Sequence, residues 1–287
     1  MPVSSAARQV GEYNKRLWRV LHYYVDRAMK EMDMSKVKRI AIDETSSQRG
    51  HKYITLFVDV DTKKLLFATE GKGADGLKTF VAFLQERSIA IDQIEEFCCD
   101  MSQAFISGIT EYFPKAHITF DKFHVMKMVN ESVDEVRREE QKEVVELKKS
   151  RYVWLKNEKN LTDPQKDKLV KLKDMNLKTG RAYRIKLAMQ ELWTYPAILA
   201  DVYLDTWYKW VSRSQIQPMM ETAKTVKRHE AGILRWFITR MTNGLLEGLN
   251  GLIQATKRKA RGFRSTANFI CMAYVTVNKL AIQVKPH

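Results

Sequence analysis

Cysteine is scarce in this chain and poorly placed for cross-linking. Among 287 residues only Cys98, Cys99 and Cys271 carry thiols, two of them adjacent inside an apolar run, and none forms a C-x-x-C pair. That pattern argues against a zinc ribbon or a disulfide framework and reads as reduced thiols in a core. Long hydrophobic runs are missing too. Nothing approaches the roughly 18 residues of a membrane span, and the opening MPVSSAARQVGEYNKR lacks the apolar middle of a signal peptide. Internal repeats and low-complexity linkers are absent. The expectation is a soluble, cytoplasmic protein whose 45% apolar residues can fill a substantial core.

Acid is the other deficit. Against 49 Lys and Arg stand 34 Asp and Glu, a net charge of +15 with a pI near 9.6. An excess of that size draws nucleic acid electrostatically, whatever the fold.

What is present is an orderly succession of elements. Apolar spacing at Leu17, Val20, Leu21, Tyr24, Ala28 and Met29 predicts a helix over 10–32. VKRIAIDET, YITLFVDVD and LLFATEG then read as three strands joined by tight turns, hence an antiparallel meander. A helix over GADGLKTFVAFLQERSI, a buried strand in IEEFCCDMS ending on Asp100, a helix broken at Pro114 and a strand in HITFDKFHV ending near Asp121 follow. This specifies an α/β protein, a mixed five-stranded sheet of order 3-2-1-4-5 flanked by helices. A charged helix covers 123–141, with Val125, Val129 and Val133 inward. Residues 142–235 lack strand patterning and hold Trp154, Trp193, Trp207 and Trp210, which reads as an all-helical insertion whose tryptophans form a core rather than stack on bases. STANFICMAYVTVNKLAI closes the chain as an apolar helix or strand-like segment.

One stretch, NGLLEGLNGLIQATKRKARGF (243–263), reads as a single helix carrying an acid and running into positive charge. Leu246, Leu249, Leu252, Ile253 and Ala255 make an apolar stripe, while Asn243, Glu247, Asn250 and Gln254 share a second, polar face. Lys257, Arg258, Lys259, Arg261 and Arg264 follow.

Three acids fall where chemistry favours them: Asp43 at the end of the first strand, Asp100 at the end of the fourth, and Glu247. In the expected sheet, strands one and four are parallel neighbours, so Asp43 and Asp100 lie side by side beyond the strand ends, where open sheets bind ligands. Carboxylates that close repel unless a cation neutralises them. Hard oxygen ligands suit Mg²⁺ or Mn²⁺, and a third carboxylate from a helix completes a two-metal centre with ions roughly 3.5–4 Å apart. Each acid also has a structural reading: Asp43 as cap of the following turn, Asp100 as cap of the helix near Ser102. Asp59 and Asp61 suit a hairpin turn.

The strings IAIDETSSQRGHKYITLFVDVDT, CCDMSQAF, FPKAHITFDKFHVMKMVNESVDEVRR and NGLLEGLNGLIQATKRKARGF resemble the catalytic domain of bacterial insertion-sequence transposases of the ISL-three family, DDE enzymes with an RNase H-like core. The resemblance implies a catalytic, metal-binding triad of Asp43, Asp100 and Glu247, spaced by 57 and 147 residues, with two Mg²⁺ or Mn²⁺ ions. Asp121 competes for the second position; the sheet order favours Asp100 and leaves Asp121, His124, Asn243 and Asn250 as supporting or alternative residues. Arg137 and Arg138, with Lys257, Arg258, Lys259, Arg261 and Arg264, are the expected holders of DNA phosphates, contacts that position without reading sequence.

The resemblance also implies double-stranded DNA as partner, a homo-oligomer that pairs two transposon ends, and a bacterial, nucleoid-associated location. The expected organisation is a helical linker over 1–36, the tail of a DNA-binding region that relatives carry upstream; catalytic core over 37–141; helical insertion over 142–235; and the core's C-terminal helices over 236–287. The function expected is metal-dependent DNA cleavage and strand transfer. The alternative is a truncated, inactive DNA-binding relic that interferes with a full-length transposase.

Overall fold

In the computed structural model, which describes residues 2–48 and 50–280, helices α1 (Val3–Gln9) and α2 (Asn14–Lys30) precede strand β1 (Arg39–Gln48). Strands β2 (Lys52–Asp59) and β3 (Leu65–Glu70) complete an antiparallel meander. Its second turn is set by Asp59, whose carboxylate accepts from the Asp61 and Thr62 amides at 3.2 Å each, an Asx arrangement that short polar side chains favour. Then come α3 (Ala74–Glu86), β4 (Glu96–Cys99), α4 (Gln103–Tyr112) and β5 (His117–Phe120). The five strands form one sheet in the order β3-β2-β1-β4-β5. The mixed α/β sheet expected from the sequence is the one observed.

Seven helices follow among the described residues: α5 (Lys122–Glu140), α6 (Arg151–Leu155), α7 (Asp163–Lys173), α8 (Lys178–Leu192), α9 (Ala197–Ser212), α10 (Gln217–Arg228) and α11 (Glu230–Thr239). Helices α12 (Gly244–Lys259) and α13 (Thr266–Asn278) complete them. The last apolar segment is therefore a helix; its Ala281 and Ile282 lie outside the described residues. Cα packing divides the chain into two compact units, Met1–Thr119 with Met241–His287, and Phe120–Arg240.

The sheet unit has a core on each face, because alternate residues of a strand point to opposite sides. On one face Ala41, Leu56, Val58 and Cys98 pack with Leu246 and Ile253 of α12 and Phe269 and Ala273 of α13. On the other, Phe57 stacks on Phe80 of α3 at 4.3 Å and Phe97 meets Phe113 edge-on at 4.8 Å. Each such side chain contributes about 1.5–3 kcal/mol when fully buried. Two features depart from the sequence reading. Helix α1 was not anticipated, and β1 runs to Gln48, three residues beyond the strand drawn from VKRIAIDET.

The helical unit begins earlier than its composition suggests. Val125, Val129, Val133 and Val136 of α5 are buried, and α5 packs on α8 and α10, so it belongs with the helices that follow it rather than with the sheet. Helix α7 starts at a capping box in which Thr162 and Gln165 satisfy one another's backbone amides, with Pro164 in the first turn. The tryptophans form a core: Trp154 is buried edge-on to Tyr183 at 5.4 Å, and Trp207 is buried with its indole N–H donated to the Ile185 carbonyl at 3.0 Å. Trp210 is the exposed one of the four.

Lys186 is buried in this unit without a carboxylate partner among the described residues. Its ammonium donates to the Trp154 and Leu155 carbonyls at 2.8 Å each, at the C-terminal end of α6, and lies 5.4 Å from the Tyr183 ring. Burial pushes its pKa down from 10.5 to about 8. Between those values the unfolded chain binds more protons than the folded one, so this group adds stability as pH rises. Wild-type protein is expected to gain up to about 1.4 kcal/mol per pH unit relative to Lys186→Met across that interval. Parallel pH series of thermal melts check it; a flat difference between the two proteins contradicts it.

Candidate functional site

Strands β1 and β4 run parallel, with Ile40 paired to Phe97 and Ala41 to Cys98. Asp43 and Asp100 each lie two residues beyond the paired Ala41 and Cys98, Asp43 within β1 and Asp100 just past the end of β4. Both are half-buried. A backbone amide holds one oxygen of each: the Glu44 N–H donates to Asp43 Oδ1 at 2.8 Å, and the Ser102 N–H to Asp100 Oδ1 at 2.9 Å. Asp100 is thus tied to Ser102, the residue before α4, by a turn bond rather than by a cap of the helix itself.

Helix α12 lies across this face by its polar row. Asn243 accepts the Cys98 thiol at 3.2 Å, Asn250 donates to Asp43 Oδ2 at 2.7 Å, and Gln254 donates to Thr45 Oγ1 at 2.9 Å and the Ser46 carbonyl at 2.8 Å. Lys257 Nζ extends the row, 2.9 Å from the same Ser46 carbonyl. Glu247 sits four residues after Asn243 and three before Asn250, on the same face. It therefore falls between the contact to β4 and the contact to Asp43. Its carboxylate is exposed and has no ion pair among the described residues. The apolar stripe docks through Leu246 and Ile253, while Leu252 is exposed.

Glu44 is a site residue that sequence reasoning missed. Its Oε1 accepts from the Gly73 amide at 2.8 Å, at the entry of α3. Desolvation raises its carboxyl above the ordinary range against the pull of that amide, and Asp100 and Asp43 raise it further while Lys72 opposes them. Glu44 thus feels the same negative field that the other two acids create. The signal was in view, since a second acid directly follows Asp43.

Among the described residues no group of three or more His, Cys, Asp or Glu side chains is close enough to hold a metal ion. The fit to a divalent cation rests on donor chemistry. The available groups are hard oxygens, and Asn250 Oδ1, on the side chain that bonds Asp43, is buried with no hydrogen-bond partner among the described residues. An orphaned buried acceptor next to carboxylates is the arrangement a cation relieves.

The other expected residues fall elsewhere. Asp121 is buried at the start of α5 and His124 is partly buried on it, both in the helical unit. Arg137 is a correction. It is 7% exposed, with Nε on Asp134 Oδ1 at 2.8 Å, so its guanidinium is committed to packing and cannot lie along a phosphate. Arg138 is exposed. The 243–263 helix also stops sooner than expected: Arg261 takes a left-handed conformation (φ 57°), and the Gly262 amide bonds back to the Lys257 carbonyl at 2.8 Å, a Schellman ending. Arg261 and Arg264 therefore project from a turn.

A family model for DDE transposases of the ISL-three type, described as transposase, matches residues 40–273. The chain belongs to that family. The five-stranded mixed sheet with flanking helices is consistent with the RNase H-like fold of DDE enzymes. Among relatives, the transposase for insertion sequence element IS1557 of Mycobacterium tuberculosis is 28% identical over 300 residues, covering 95% of this chain and 66% of that protein. The transposase for insertion sequence element IS1001 of Bordetella parapertussis is 29% identical over 252 residues, covering 84% of this chain and 61% of that one. The chain thus spans less than two thirds of the length of these relatives. No helix among the described residues is long and apolar enough to cross a membrane.

Proposed function

We propose that this chain is the catalytic part of an insertion-sequence transposase, cutting double-stranded DNA at the element's ends and joining it to a target with divalent metal ions. The observation that supports the reading is the parallel pairing of Ala41 with Cys98, two residues before Asp43 and Asp100, with the polar row of α12 bonded to both Cys98 and Asp43. In this reading Asp43, Asp100 and Glu247 hold Mg²⁺ or Mn²⁺. The ions, when bound, supply activation of water or a 3′-hydroxyl and stabilise the leaving oxygen. Water displaces the 3′-oxygen of the scissile phosphodiester in hydrolysis, leaving a 3′-hydroxyl and a 5′-phosphate; in transfer the freed 3′-hydroxyl attacks a target phosphodiester, displaces its 3′-oxygen and gives up its proton to that leaving oxygen through solvent, with no covalent protein–DNA intermediate. Asn250 fixes the rotamer of Asp43 through Oδ2, and the Ser102 amide fixes Asp100. The exposed cations after α12 hold the DNA backbone, and pairing of two ends calls for an oligomer.

Nicking of duplex DNA should require Mg²⁺ or Mn²⁺ and stop on chelation. Removing the group that orients a ligand typically costs 10–100-fold, so Asn250→Ala should raise the metal concentration needed by about that factor. Nicking that persists in chelator would refute the reading, and an unchanged metal requirement in Asn250→Ala would remove Asn250 from it.

A further inference from the structure

At the far end of α12 from Glu247, a depression of about 640 Å³ is lined by Ser4, Ser5, Arg8, Arg261, Gly262 and Arg264 among others, and no acid among the described residues lines it. Arg8, Arg261 and Arg264 are all exposed, and none makes an ion pair among the described residues. Three unneutralised guanidinium groups around one concavity create a field that only an anion relieves, and their forked donors match phosphate oxygens. The walls are held in place. Gln48 Nε2 donates to the Phe263 and Arg264 carbonyls at 3.2 Å each, and Phe263 packs edge-on against Trp18 of α2 at 6.1 Å.

The same strand that carries Asp43 therefore anchors this turn, five residues further along. At about 3.3 Å per residue that is roughly 16 Å, which duplex DNA covers in about five base pairs at 3.4 Å each. We propose that Arg8, Arg261 and Arg264, with the hydroxyls of Ser4 and Ser5, form a phosphodiester subsite that grips the DNA backbone about five base pairs from the phosphate at the acids. The spacing rests on the reading of Asp43, Asp100 and Glu247 as the cleavage site; the anion subsite does not.

Binding of blunt duplexes of increasing length, from about four to about fourteen base pairs, tests it without any need for cleavage. Wild-type affinity should step up by about tenfold once a duplex bridges the acids and the depression. In Arg8→Glu/Arg264→Glu that step should vanish, and the salt slope should fall by about one for each phosphate no longer held. A control with the same charge change on the helical unit, Lys171→Glu/Arg184→Glu, should keep the step. Retention of the step by the first variant, or its loss in the control, overturns the subsite. So does a wild-type protein that binds inorganic phosphate alone through Arg8 and Arg264 yet shows no length step, since that describes a site for a free anion. Plasmid nicking in parallel separates the two readings: a length step without nicking sinks the proposed cleavage and leaves the subsite standing.

Discussion

Glu247→Gln should abolish metal-dependent nicking, by at least about 10³-fold, while the protein melts as the wild type does. The magnitude is the upper end of what removing one preorganised electrostatic group costs. The preserved stability follows from the surroundings of the side chain: it is exposed, unpaired among the described residues, and isosteric with its replacement. Surface changes of that kind stay within about 0.5 kcal/mol. A few tenths more are lost because the acid lies in the first turn of α12, where the helix dipole favours it. The separation of the two readouts is what identifies the role. A Gln variant that nicks at the wild-type rate would strike Glu247 from the site. Asp100→Asn and Asp121→Asn in the same assay decide the second position, with loss expected in the first and retention in the second.

The largest effect on stability is expected from Asp134→Ala, a loss of about 3–5 kcal/mol in the helical unit. Asp134 is 8% exposed and lies 2.8 Å from Arg137, 3.4 Å from Arg151 and 3.6 Å from Arg138. Removing it leaves the buried Arg137 without its carboxylate, and the cost is that of an uncompensated charge rather than of a missing attraction. Tryptophan fluorescence is the suitable probe, because Trp154, Trp193, Trp207, Trp210 and Trp236 all lie in that unit. Replacing both partners by leucine should recover most of the loss, since apolar packing can substitute for a buried pair. An unchanged midpoint in Asp134→Ala would mean that water already compensates the pair.

The sheet was legible because burial on alternate residues and tight hairpin turns are local signals. Such signals suffice to place Asp43 and Asp100 on neighbouring strands. The polar row of α12 was legible for the same reason, since helical periodicity alone puts Asn243, Glu247, Asn250 and Gln254 on one face. What each residue of the row touches was not, because the Asn250–Asp43 bond joins positions 207 residues apart. Arg137 was misjudged as a surface cation because burial of an ion pair leaves no trace in composition. The α5 boundary was drawn late because its charged exterior masks a buried valine stripe on a helix that packs on α8 and α10. Arg8 carried no signal at all. Its relevance comes from a turn that lies more than 250 residues later.

The excursion of the chain from Phe120 to Arg240 has a consequence for biosynthesis. Asp43 lies on β1 and Asp100 directly follows β4, whereas Glu247 leaves the ribosome 147 residues after Asp100. At about 5–20 residues per second the proposed triad stays incomplete for roughly 7–30 s of each synthesis. During that interval the nascent chain has, in the proposed reading, no third carboxylate. In that reading a nascent chain gains the capacity to cut DNA only once α12 has followed the helical unit.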